Sequence, residues 1–296
     1  MNDRTAAVFE PGEVALRARE VAFDFSALPP HWIPGEPFAS HLINLLHLLL
    51  PEGERWFVRV FSEALPLIRD EGLQEQVIGF IGQESMHAEA HQGAQDHLCA
   101  AGLETAGFVG ELEWFFRDQL GDRGLTGPAA QAWLVERLAL IAAIEHMTAV
   151  LGDWVLNAAG LDDAGADPVM LDLLRWHGAE EVEHRAVAYD LYAHVDGRYW
   201  RRVRTHLLIM PALGWLWARG LTALLASDSE LVEPQNKARW RDWFRAGRRG
   251  LVPSPLPFLW SYLRYLAPWY HPSREASTSQ AVAYLASSPA ALAATP

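Results

Sequence analysis

Two short stretches of this sequence carry a glutamate followed three residues later by a histidine: Glu84 with His87, and Glu181 with His184. Residues three apart on a helix share a face, so each pair aims a carboxylate and an imidazole at one point. These are ligands of first-row divalent metals. Two lone glutamates join them. Glu54 falls on a helical stripe with Phe57, Val58, Phe61 and Leu65, and Glu145 lies in a seam of Leu134, Leu138, Ile141, Thr148 and Gly152. A carboxylate on an apolar stripe is an informative exception to the outward placement of charge.

Each feature has a bland reading. A single Glu-x-x-His arises easily by chance in a helical protein, and a lone buried glutamate is more often partnered by arginine or a helix cap. The coincidence carries more weight. Along the chain the order is Glu, Glu-x-x-His, Glu, Glu-x-x-His, every member on an apolar stripe. Four carboxylates neutralise and can bridge two divalent ions, whereas burying them without cations is costly. His177, one turn before Glu181, reads as a further ligand, the alternative being a hydrogen-bond partner that orients Glu181. His91, one turn beyond His87, and Glu180 read as groups behind the ligands, with ligation as the alternative. His146 should point elsewhere.

The elements that must position these residues are helices. The first opens near Ser40 and runs to Leu50, where Pro51 ends it and starts a second carrying Glu54. Further helices are expected over 73–100, 108–120 as a crossover, 128–159 and 168–195. No stretch alternates as a strand does, and the two Glu-x-x-His helices are the only internal repeat visible. The reading is all-α. It comprises an N-terminal arm over 1–39, a four-helix bundle with a dinuclear site over 40–195, an aromatic and basic helical appendage over 196–272, and a flexible Ala- and Ser-rich tail over 273–296.

A chain of 296 residues, half of them hydrophobic, can bury a sizeable core. Its formal charge of -13 argues against nucleic acid as a partner. The charge is uneven: residues 198–250 hold eleven Lys or Arg against four Asp or Glu, a local +7. Cys99 is the one cysteine, so there is no internal disulfide, and residues 1–20 hold no apolar signal-like run, which together point to the cytoplasm. The apolar run 207–226 nearly meets the length of a membrane span, but Arg219 interrupts it and a buried helix capping the bundle is the favoured reading. Arginines interleaved with Trp and Tyr over 199–270 suit either peripheral membrane contact or an aromatic face packed on the bundle. A homodimer is open.

Over roughly 40–195 the sequence resembles the ferritin-like di-iron carboxylate proteins, which use a Glu from each of two helices and Glu-x-x-His from each of two others. Within them, Pro51-Glu52-Gly53-Glu54-Arg55-Trp56-Phe57, Gln83-Glu84-Ser85-Met86-His87 and His177-Gly178-Ala179-Glu180-Glu181-Val182-Glu183-His184 resemble a bacterial family labelled predicted metal-dependent hydrolase. His177-x-x-x-Glu181-x-x-His184 is also similar to the extra-histidine motif of the di-iron arylamine N-oxygenases, which implies that His177 is a seventh ligand. The expected cofactor is two metal ions, Fe/Fe first, with Mn/Fe, Mn/Mn or Zn as alternatives. The expected activity is O2-dependent hydroxylation, desaturation or N-oxygenation of a hydrophobic or aromatic small molecule, with an external electron donor because no flavin or nicotinamide fingerprint is present. The alternatives are a hydrolase that activates water at the same centre and a non-catalytic metal-binding bundle.

Overall fold

Pro51 sits inside the first helix, α1 (Pro37–Ala64), without ending it, so one continuous helix replaces the two expected from the sequence. A proline removes one backbone donor and crowds the preceding turn, at a cost of about 3 kcal/mol. Burial on both sides of it outweighs that cost: Leu45 and Leu48 before it and Trp56 and Phe61 after it enter the same core, each stabilising by roughly 1.5–3 kcal/mol. The computed structural model describes residues 14–233 and 235–294.

Helix α2 (Glu71–Ala100) starts at Asp70, whose carboxylate accepts from the Leu73 amide at 2.8 Å. It returns antiparallel along α1, with Phe61 stacked on Phe80 near one end and His47 on His91 near the other. The short α3 (Ala106–Glu113) continues into a π-helical turn, Trp114–Gln119, and crosses to α4 (Gly127–Leu156). After α5 (Ala159–Asp163) come α6 (Pro168–His184) and α7 (Val187–Val195), where a single helix was expected. The break falls immediately after His184. The Arg185 guanidinium donates to the Val182 carbonyl, an acceptor left over at the helix end, and to the Thr278 hydroxyl.

Helices α1, α2, α4 and the α6–α7 pair close a ring: α1 packs on α2, α2 on α6 and α7, these on α4, and α4 on α1. No strand occurs among the described residues, so the fold is all-α as its periodicity predicts. A facing pair of glycines lets α4 and α6 approach closely. A Cβ on Gly152 of α4 would meet Gly178 O at 2.5 Å, and one on Gly178 of α6 would meet Gly152 Cα at 2.9 Å.

The described part of the arm, residues 14–36, runs in extended and turn conformations along α2. Gly79 and Gly82 make room for it, since a Cβ there would lie 2.5 Å from Leu16 Cβ and 3.1 Å from Ala18 Cβ. Residues 1–13 of the arm and 295–296 of the tail lie outside the described residues. The arm is latched further along by Asp228, whose Oδ2 takes both His31 Nε2 at 2.5 Å and His41 Nε2 at 2.7 Å.

The remaining helices are α8 (Tyr199–Ser227), α9 (Trp240–Arg248), α10 (Pro255–Arg264), α11 (Thr278–Leu285) and α12 (Pro289–Ala293). Two of these differ from the sequence reading. The tail is not loose: Asp172 of α6 accepts from Tyr284 Oη, Ser288 Oγ and the Ala290 amide at 2.7–2.9 Å, a buried carboxylate with three donors that pins α11 and α12. Nor is α8 a buried helix. One face rests on α4 and α1, but its most apolar 18-residue window is only 28% buried.

Candidate metal centre

The ring brings seven ionisable side chains to one place: Glu54 from α1, Glu84 and His87 from α2, Glu145 from α4, and His177, Glu181 and His184 from α6. None is more than 6% exposed. His184 Nε2 lies 3.2 Å from Glu84 Oε1, 3.4 Å from Glu145 Oε2 and 3.5 Å from Glu181 Oε2. His87 Nδ1 lies 3.7 Å from Glu84 Oε1 and 3.6 Å from Glu181 Oε1. His177 Nε2 is 2.8 Å from Glu181 Oε1 and 3.7 Å from Glu54 Oε1. Apart from the 2.8 Å contact, these separations are close to the spacing of roughly 3.0–3.4 Å between ligands held about 2.1 Å from one ion. Glu84 and Glu181 belong to both histidine neighbourhoods, and Glu181 turns one oxygen toward each.

The fit to metal ions rests on unsatisfied atoms. Glu54 Oε1 and Oε2, Glu84 Oε1 and Oε2, Glu145 Oε2, Glu181 Oε2, His87 Nδ1 and His184 Nε2 are buried and have no hydrogen-bond partner. Orphaned buried polar atoms are rare because each carries a desolvation cost of about 1–3 kcal/mol, more when charged. Eight converging on one point form a donor set of carboxylate oxygen and imidazole nitrogen that hard and borderline divalent metals satisfy.

Burial, then the charges of Glu84, Glu181 and Glu145, raises Glu54 well above the ordinary carboxylate range. Burial with Glu145 and Glu181 does the same to Glu84, and burial with Glu181 lifts Glu145 to about 7 against the pull of His184. Burial opposes the ionised form of Glu181 too, but His184 and His177 outweigh it and hold this carboxyl well below its usual range. His184 is correspondingly raised well above the usual imidazole value: burial opposes its charge, but Glu181, Glu145 and Glu84 overcome that.

Groups behind the ligands select which ring nitrogen faces the centre. Glu180 Oε2 is 3.0 Å from His87 Nε2, so that nitrogen carries the proton and Nδ1 turns a lone pair inward. The Gln83 amide nitrogen donates to Glu183 at 3.1 Å, which leaves its oxygen to accept from His184 Nδ1 at 3.1 Å. Both chains end on the arm. Arg19 Nη1 donates to Glu180 Oε1 at 2.5 Å and to Glu183 Oε2 at 3.1 Å, and the Trp176 indole adds a bond to Glu180 at 3.1 Å.

His177 heads a file of imidazoles. Its Nδ1 lies 2.5 Å from His91 Nε2, and His91 Nδ1 lies 2.7 Å from His47 Nδ1. Burial and neighbouring imidazoles keep all three neutral, lowering His177 to about 4, His47 to about 3 and His91 well below its usual value. Two proton arrangements then satisfy both contacts. If His177 Nε2–H donates to Glu181, His91 Nε2–H donates to His177 and His47 Nδ1–H to His91, so every proton in the file points toward the centre. If Nε2 is bare, Nδ1–H donates to His91 and every proton in the file points away from the centre.

His146 faces α10 instead, with Nε2 2.8 Å from Ser261 O and Nδ1 2.6 Å from Tyr270 Oη. Sequence reasoning missed Arg19, Gln83 and His47. Gln83 stands beside a motif glutamate and His47 lies two turns before Glu54, weak signals at best, and nothing in the irregular arm marks Arg19.

No curated protein and no solved structure matches this chain at significance. A family match extends over residues 17–276, from the arm that holds Arg19 through both Glu-x-x-His helices and past α10, and on that evidence the chain belongs to the family described as predicted metal-dependent hydrolase.

Proposed function

We propose that the protein is a metal-dependent hydrolase with a dinuclear centre. One ion would be held by Glu84, Glu145, Glu181 and His184, and the other by Glu54, Glu84, His87, His177 and Glu181. The observation that carries this reading is the convergence of eight orphaned carboxylate and imidazole atoms, in a chain whose family description names the same chemistry. Ions bound there would lower the pKa of coordinated water toward neutrality and polarise the bond to be cleaved.

The chain's own residues set the conditions for that chemistry. Glu180 and Gln83 hold His87 and His184 in the tautomers that leave Nδ1 and Nε2 bare. When His177 Nε2 is engaged, its Nδ1 holds the ring's one proton and donates it to His91, whose Nδ1–H donates to His47 in turn, so the file stays neutral in the core. Phe80 lies edge-on to His184 at 4.7 Å and Trp176 edge-on to His87 at 5.1 Å between ring centroids, both rings fully buried, and apolar walls that exclude bulk water strengthen every electrostatic contact inside. The substrate class that suits such walls is an apolar small molecule.

A second reading, oxygen-dependent oxidation with an external electron donor, is favoured by a different observation. The ligand order and the placement of one Glu or Glu-x-x-His per ring element follow the pattern of di-iron carboxylate bundles, and His177 adds a third imidazole. Metal analysis, a panel of chromogenic esters and oxygen uptake by the ferrous-loaded protein separate the readings. The expected result is two equivalents of divalent metal and ester turnover that disappears in Glu84→Gln. Oxygen uptake with a new visible absorption band and no ester turnover selects the oxidase, and a chain that takes up no metal overturns both.

A further inference from the structure

The outer faces of α8 and α10 invert the usual pattern of a surface helix. On α8, Trp200, Leu207, Leu208 and Trp215 fall on one stripe and are 76%, 47%, 59% and 62% exposed. On α10, Leu256, Leu259, Trp260 and Leu263 recur at the i, i+3, i+4, i+7 spacing that normally marks a buried face, yet they are 45–71% exposed. The two helices touch behind these stripes. His206 of α8 stacks on Tyr262 of α10 at 4.5 Å between ring centroids, and Tyr199 Oη donates to the Leu266 carbonyl at 2.8 Å. Exposed apolar residues clustered in this way mark an interaction site.

Charge selects the partner. The whole chain carries -13, yet residues 198–250, which contain α8, α9 and the approach to α10, carry a local +7. The two arginines on the α8 stripe, Arg204 and Arg219, are each neutralised by an acidic neighbour, Glu136 and Glu111. Arg249 is likewise paired with Glu36, so the excess resides on and just before α9, in Arg239, Arg241, Arg245 and Arg248; α9 packs on α10 and exposes Trp240 and Phe244 beside these arginines. A second copy of this chain would bring that excess against itself. An anionic surface complements it, and exposed tryptophans beside arginines suit the headgroup layer of a bilayer.

We propose that the α8–α10 face rests side-on against an anionic phospholipid surface, with both helices in the plane of the interface. The geometry excludes α8 as a spanning helix in this fold, although its length and its mean hydropathy of 1.4 over 18 residues would allow one. Its inner face is committed to the ring. Thr205 donates to Ala139 O at 3.3 Å, the Trp217 indole to Leu42 O at 3.2 Å, and a Cβ on Gly220 would lie 2.5 Å from Leu45 Cδ2. This inference does not depend on the chemistry of the metal centre.

The test is flotation of the full-length chain with vesicles of phosphatidylcholine alone and with vesicles in which a third of the lipid is phosphatidylglycerol. The chain should bind the anionic vesicles at least about tenfold more tightly, with affinity falling as salt rises. Trp260→Glu should weaken that binding by about tenfold or more, and Leu256→Glu serves as a second exposed variant should the first fold poorly. A blue shift of tryptophan emission on binding, lost in Trp260→Glu, supports insertion of this face. Absence of vesicle binding, or binding indifferent to lipid charge, overturns the proposal. So does a dimer in light scattering that Trp260→Glu disperses while vesicle binding stays unchanged, because the face would then belong to a second copy.

Discussion

The metal centre and the α8–α10 face break the same rule in opposite directions. The ring of α1, α2, α4 and α6 buries four carboxylates and three histidines where apolar packing would be cheaper, and the appendage leaves tryptophan and leucine in water where packing would gain. Single exceptions of either kind are ordinary, but clustered ones are not. The inner cluster is held by backbone geometry and by chains of hydrogen bonds that end on Arg19. The outer one is held only from behind, through the packed face of α8 and the contact of α10 with His146 of α4. The difference teaches that burial cost and exposure cost are tolerated for different reasons. Inside, a cation can offset the charge, and outside, a second surface can cover the apolar area.

The largest expected effect attacks the inner cluster directly. Glu84→Gln keeps the shape of a protonated carboxyl and removes a group common to both imidazole neighbourhoods. Metal affinity should fall by more than about a hundredfold, measured by competition with a chromogenic chelator. The metal-free variant should unfold in urea at the same midpoint as the parent or slightly above it, because folding no longer requires a proton on this buried carboxyl. An equal loss of metal-free stability would mean that the cluster is structural and the contrast between the two regions is false.

Chelation tests the same contrast without mutation. Removing metal should lower the melting temperature by about 5–10 °C, read by calorimetry, whereas Trp260→Glu on the outer face should leave it nearly unchanged.

Arg19→Ala sharpens the account of how the inner cluster is held. It should weaken metal binding by about tenfold while leaving the helical content by circular dichroism intact, and Arg19→Lys should recover part of the loss. A variant whose metal affinity equals the parent's would detach the arm from the centre.

The smallest effect concerns acid sensitivity at the junction with α10. Burial pushes the His206 ring down to about 4, against a bond to the Tyr262 carbonyl that raises it. Between its ordinary value near 6.5 and about 4, the unfolded chain takes up a proton that the folded chain refuses, so stability falls as pH is lowered through that window and is level above it. His206→Gln should flatten this part of the acid limb in urea titrations.

The ligand candidates were legible because helical spacing is short-range. Glu84 with His87 and Glu181 with His184 share faces whatever else the chain does, and the apolar neighbours of Glu54 and Glu145 mark those faces as inward. Helix ends were less legible. Pro51 reads as a boundary locally, but the cost of a proline is small beside the burial on either side of it. The break after His184 depends on Arg185 reaching a carbonyl of its own helix and Thr278 of α11, a contact no local pattern contains. The tail reads as loose by composition, whereas the buried Asp172 gives it three hydrogen bonds.

What the sequence by itself determined is the all-α class and the set of residues able to meet at one centre, since both follow from periodicities of three and four residues. Only the tertiary structure decided which imidazole nitrogen faces that centre, that Arg19 lies behind both Glu-x-x-His histidines, and that the most apolar helix of the appendage keeps one face in water. Those depend on contacts between residues up to 175 positions apart, and nothing in local periodicity encodes which distant side chain will arrive.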